Sequence, residues 1–153
     1  MKAATIIAFL AAALAFAACH QPRRLAPAPE TIFDDRGLHI ITSFHNERTG
    51  TISVLYGNDE AVAHAAADSA AHAPGEVYKL VTWDLKQNPL WFGGSINGGL
   101  QSVETVTVKT GGTAQPVADY TLEKTEQKGA ENAAGRDSER ISFIFAQRAS
   151  VFP

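Results

Sequence analysis

Thr51-Ile52-Ser53-Val54-Leu55-Tyr56-Gly57-Asn58-Asp59-Glu60-Ala61 changes from one periodicity to another within a few residues. Ile52, Val54 and Tyr56 fall on one side of an extended chain, and Ser53 and Leu55 on the other, as a strand requires. Gly57-Asn58 breaks the alternation. Asn58 is a good N-cap, and Asp59 and Glu60 put negative charge in a first helical turn, where the helix dipole favours it. The spacing predicts a helix over residues 59 to about 71, ending before Pro74-Gly75. Its apolar stripe is Val62, Ala65, Ala66 and Ser69, small enough to approach a sheet closely.

Upstream, Leu38-His39-Ile40-Ile41-Thr42-Ser43-Phe44 reads as a strand, joined through Asn46 and Gly50 to the next. Downstream, residues 76–83 read as a third strand, 100–109 as a fourth on Val103, Val106 and Val108, and 117–122 as a fifth. Residues 84–99, with Asn88-Pro89 and two Gly-Gly pairs, read as irregular. The polar stretch 123–139 reads as a solvated loop or hairpin tip. Residues 140–148 read as a closing strand, with Ile141, Phe143 and Phe145 on one face. The expected class is α+β: an antiparallel sheet with one main helix packed on a face.

A chain of 153 residues fits one domain. Met1-Lys2 is a short cationic start, and residues 6–18 are an uninterrupted apolar run, short for a membrane span and suited to a signal-peptide core. Phe16-Ala17-Ala18-Cys19 resembles the lipobox of bacterial lipoproteins, with Phe16 where leucine is commoner. The other reading is plain secretion, with cleavage after Ala15-Phe16-Ala17. The division expected is a signal peptide at 1–18, a lipidated Cys19 with a Pro-rich tether at 19–37, and a folded domain at 38–153. His20, in place of the aspartate that often marks inner-membrane retention in such lipoproteins, favours the outer membrane. Arg23-Arg24 is a weak hint of headgroup contact.

The formal charge of −3 lacks the basic footprint that nucleic-acid binding needs. A single cysteine excludes an internal disulfide, a four-cysteine zinc site and a covalent c-type haem motif. Glu60, His64, Asp68 and His72 recur every fourth residue. All are metal-ligand types, with His64, Asp68 and His72 the candidates, but the row extends about 18 Å, so one ion could take only an adjacent pair and the rest would come from elsewhere, for example His39 or His45. The rival account is a solvated helix face. Trp83, Trp91 and Phe92, beside the Gly-rich segment 93–99, are candidates for an apolar ligand pocket or for a cap on the core. Lys79, among apolar strand residues, is either a pocket amine or a solvent-facing side chain. No Gly-x-Ser-x-Gly elbow, phosphate loop or other catalytic set is legible.

Two segments resemble the cytochrome P460 family: Tyr56-Gly57-Asn58-Asp59-Glu60-Ala61, and Pro74-Gly75-Glu76-Val77-Tyr78-Lys79-Leu80-Val81-Thr82-Trp83. Ser102-Val103-Glu104-Thr105-Val106-Thr107-Val108 and Phe145-Ala146-Gln147-Arg148-Ala149-Ser150 are similar to exported relatives placed in that family. The resemblance covers residues 38–150. It implies an exported, mainly antiparallel β domain with a helix on one face. Cytochrome members carry c-type haem near the C-terminus and act on hydroxylamine or nitrogen oxides; in P460 itself a lysine is cross-linked to the haem, and Lys79 sits at that place. This chain has no Cys-x-x-Cys-His and no histidine after His72, so neither covalent haem nor hydroxylamine oxidation carries over.

The function expected is that of a non-catalytic, lipid-anchored protein of the bacterial envelope, facing the periplasm and binding a small molecule or another envelope protein, with no cofactor. The alternative is redox or nitrogen-oxide handling with non-covalent haem or a metal. A purely structural envelope role, with no ligand, is a third reading.

Overall fold

The structure is a computed structural model that describes residues 30–67, 71–112, 115–124 and 133–150. The signal peptide, Cys19, residues 20–29 and Asp68 lie outside the described residues. Five strands follow in order: β1 (His39–Asn46), β2 (Thr51–Gly57), β3 (Val77–Gln87), β4 (Ser95–Thr110) and β5 (Pro116–Lys124). They form one antiparallel meander in which every strand pairs with its sequence neighbours. Helix α1 (Asp59–Ala66) lies between β2 and β3, and α2 (Ala133–Phe145) follows β5.

Strand alternation gives the sheet two working faces. On one, Ile41, Leu55, Tyr78, Leu80 and Val106 pack against Ala61 and Ala65 of α1 and Ile144 of α2. On the other, Tyr56, Val81, Trp83 and Val103 are covered by Phe33 and Leu38 of the N-terminal segment. The phenyl ring of Phe33 lies 5.5 Å from the ring of Tyr56. Residues 30–37, read from sequence as tether, therefore run up to and over the sheet.

The fold corrects the expectation of an α+β domain with one main helix. It is β-rich, with two short helices of 8 and 13 residues sharing one face of a dominant sheet. The first helix is shorter than the 59–71 expected. Ala67 leaves helical geometry at ψ 155°, while its N–H still closes the last turn on Ala63 and His64. The C-terminal segment takes over the carbonyls a longer helix would use: Ala149 N donates to Ala65 O at 3.1 Å, and Arg148 Nη1 to Ala67 O at 3.1 Å.

The second correction concerns residues 140–148, expected as a strand. Residues 140–145 belong to α2. Ile141, Phe143 and Phe145 alternate as a strand would, but Ile141, Ile144 and Phe145 also fit the helical i, i+3, i+4 pattern. Burial decides between them: Ile144 is fully buried and Phe143 is 36% exposed. The stretch 84–99 is likewise more regular than expected, because β3 continues to Gln87 and β4 begins at Ser95.

Gly57 lets α1 leave the sheet. A Cβ there would lie 2.7 Å from Ile41 Cδ1 and 2.8 Å from Ala61 Cβ. Asn58 then ties three elements together. Its Oδ1 accepts from Ala61 N at 3.2 Å and from Val77 N at 3.0 Å, and its Nδ2 donates to Gly75 O at 2.8 Å. In β1 a bulge at Ile41 frees that residue's carbonyl, which accepts from Ser150 N at 2.8 Å.

Candidate functional site

Among the described residues, the two short helices cover only part of their sheet face. Along β2 the in-phase positions run Leu55, Ser53, Thr51, and along β3 they run Tyr78, Leu80, Thr82. Along β4 they run Val106, Glu104, Ser102. Each row passes from apolar under the helices to polar beyond them, and register sets the polar ends side by side, with Ser53 opposite Thr82 and Thr82 opposite Ser102. The Ser53 and Thr82 hydroxyls are hydrogen-bonded at 2.9 Å. Together they floor an open trough of about 850 Å³.

The trough wall carries a buried charge pair. Glu104, 5% exposed, accepts from Arg140 Nε at 2.8 Å and from Nη2 at 2.7 Å, and from the Tyr120 hydroxyl at 2.9 Å. This is a bidentate guanidinium–carboxylate fork between α2 and the sheet. It occupies Nε and Nη2. The carboxylate raises the guanidinium pKa further, outweighing its desolvation. Tyr120 is also raised, by burial first and then by its bond to Glu104, so it stays a neutral donor. Phe143 lies under the Arg140 guanidinium at 4.8 Å and packs edge-on against Phe44 at 5.7 Å, giving the trough an aromatic side. A smaller cleft of about 210 Å³ adjoins across Gln101, Ser102 and Glu104, toward Tyr120 and Leu122.

A second polar cluster lies where the chain returns from α1 to β3. Glu76, 2% exposed, accepts four hydrogen bonds or contacts. His72 Nδ1 lies 2.6 Å from Oε2 and the Tyr78 hydroxyl 2.9 Å from the same oxygen; Ala73 N lies 2.7 Å and His64 Nδ1 3.3 Å from Oε1. Burial alone would raise the Glu76 carboxyl; the Ala73 amide, His72, Tyr78 and the charge His64 carries when protonated outweigh it, and the net pKa is lowered. His64, His72 and Glu76 bring three potential ligand atoms within 4.8 Å of one another. The imidazoles, however, are stacked at 3.9 Å and 19° from parallel, and His72 is stacked again on Phe145 at 3.6 Å. An ion in the plane of one ring falls outside the plane of the other, so a ring must turn before both can ligate. As it stands, the cluster is a hydrogen-bonded staple.

Of the residues singled out in the sequence, His64 and His72 do meet, joined by Glu76, whose role has no periodic signal. His39 pairs with Asp59 at 3.1 Å and His45 lies 3.8 Å from Glu47, both exposed and away from the cluster. Lys79, Trp83, Trp91 and Phe92 do not meet around one cavity. Trp83 is 1% exposed in the core under the N-terminal segment, and its Nε1 has no acceptor among the described residues. Lys79 Nζ sits 5.7 Å over Phe33 on that same face. Trp91 and Phe92 stand in solvent at the β3–β4 turn. The inner face of α2 presents Ile141, Ile144 and Phe145 to the core. No family model matches the chain, and no curated protein matches it. Among the described residues, no helix is long and apolar enough to cross a membrane.

Proposed function

We propose that this is a non-catalytic, lipid-anchored envelope protein whose domain, a P460-like scaffold without covalent haem, binds a small polar molecule in the trough. One observation carries the reading: among the described residues, a trough on the sheet face beyond the helices is floored by the Ser53, Thr82 and Ser102 hydroxyls, beside a buried Arg140–Glu104 fork. Hydroxyls and amides on rigid strands select by hydrogen bonding, and an aromatic side adds apolar contact. The fork is held by its own partners, so Arg140 arrives pre-oriented. Cys19 at the end of the apolar leader supports anchoring, and His20 supports the outer membrane. The test is co-purification. Protein drawn from its own envelope should carry a small molecule that Ser102→Phe, which fills the trough, excludes. An empty trough in wild-type protein contradicts the reading.

A second reading is metal binding at His64, His72 and Glu76, favoured by the closeness of their ligand atoms. It requires one imidazole to turn out of the stack. Titration with Zn²⁺ should then give one site that His72→Ala removes; no uptake above that variant rules the reading out.

A further inference from the structure

Beyond Gly50, β3 and β4 continue without β2. Leu85 N donates to Gly50 O at 2.8 Å, and past it only Leu85–Asn97, Lys86–Ile96 and Gln87–Ser95 pair. On the other edge β5 stops at Lys124, opposite Ser102. Among the described residues the two strands therefore form a projecting arm, closed by residues 88–94. Its turn is built: Asn88 N donates to Gly94 O at 2.9 Å, Leu90 N to Asn88 Oδ1 at 2.9 Å, and Gly93 takes φ 77°. At its tip Leu90, Trp91 and Phe92 are 60%, 75% and 104% exposed. Leaving such side chains in water forgoes the free energy of their burial.

The N-terminal segment reaches the same arm. Thr31 N donates to Asn97 O at 3.2 Å, Asn97 Nδ2 to Thr31 O at 3.3 Å, and Asn97 N to Glu30 Oε1 at 3.3 Å. The first described residues thus lie at the base of the arm that carries the apolar tip. Ten residues separate Cys19 from Glu30, which makes eleven steps along the chain. With three prolines in the linker, full extension at about 3.1 Å per residue gives a reach of roughly 34 Å.

We propose that Leu90-Trp91-Phe92 is a membrane-contact site, inserting into the interface of the bilayer that holds the Cys19 lipid. This rests on the anchored reading above. A projecting tip, unlike a groove, has no shape to match a folded partner and suits a fluid surface. Indole and phenyl rings favour the headgroup boundary. Lys86 on the arm and Arg23-Arg24 in the linker have the charge that suits anionic lipid. The lipid keeps the tip close to the surface, so a weak insertion suffices at high effective concentration. The two contacts together fix the orientation of the trough relative to the membrane.

The two tryptophans make the test direct, since Trp83 is buried. Full-length protein is reconstituted into phosphatidylethanolamine–phosphatidylglycerol vesicles with brominated acyl chains. The wild type should lose the Trp91 share of its emission, and Trp91→Phe should lose nothing further. Equal quenching of the two overturns the proposal, as does a Trp91 shielded only after envelope proteins are added. The mass of the Cys19 peptide separates this from failure of the anchor. If Cys19 is unmodified, the soluble protein is added to the same vesicles: Trp91-dependent quenching keeps the tip and discards the anchor, and its absence discards both.

Discussion

At the residue scale, two buried carboxylates pin the helical layer to the sheet. Glu76 holds the return from α1, and Glu104 holds α2 through Arg140. Replacing Glu76 with Gln keeps the size but cannot satisfy two imidazoles, a hydroxyl and an amide together; a loss of about 2–4 kcal/mol is expected in urea denaturation. The pH dependence has a defined sign. Because the folded pKa of Glu76 is lowered, its contribution is full above the ordinary carboxylate value of about 4.3 and is lost as pH falls through the lowered folded value. Wild-type stability should therefore fall more steeply than that of Glu76→Gln on acidification below about pH 4.3, and parallel curves would contradict this. Arg140→Lys keeps the charge but not the fork. It should weaken ligand retention and cost about 1–2 kcal/mol, both measurable on one preparation.

At the element scale, the turn from β2 into α1 is legible in Gly57-Asn58 from the sequence alone. Gly57 serves close approach and Asn58 caps. Gly57→Ala should cost about 1–3 kcal/mol by crowding Ile41 and Ala61. Asn58→Ala should cost about 2 kcal/mol, since it loses a cap and bonds to two other segments. Helix α2 was not legible as a helix. Ile141, Phe143 and Phe145 satisfy a period of two as well as the helical one, and six residues are too few to separate them. The burial of Ile144 breaks the tie, and that depends on a sheet face remote in sequence. Ile144→Ala should cost about 2–4 kcal/mol, which a closing strand with Ile144 facing solvent would not show. The trough left a faint signal, in that Ser53, Thr82 and Ser102 share phase with core residues. Its meaning appears only when register places them in adjacent rows. The Glu76 cluster was half visible: the two histidines stand out by spacing, but their partner is fixed by the chain's return, not by periodicity.

At the scale of the whole molecule, the account joins a lipid at one end of the chain to a domain that presents an open polar trough. The covered face gives rigidity, with Trp83 packed beneath the N-terminal segment. On the other face, the trough beyond the helices is the proposed recognition site. If Cys19 is the anchor, Cys19→Ser should accumulate as unprocessed precursor or leave the membrane fraction, as flotation of cell envelopes would show. The most direct single measurement is native mass spectrometry of the full-length protein released from its own envelope in mild detergent. The account predicts a mature chain beginning at an acylated Cys19 and carrying one non-covalent small-molecule adduct, with the adduct absent from Ser102→Phe. A chain of bare polypeptide mass, with no adduct in the wild type, would contradict it.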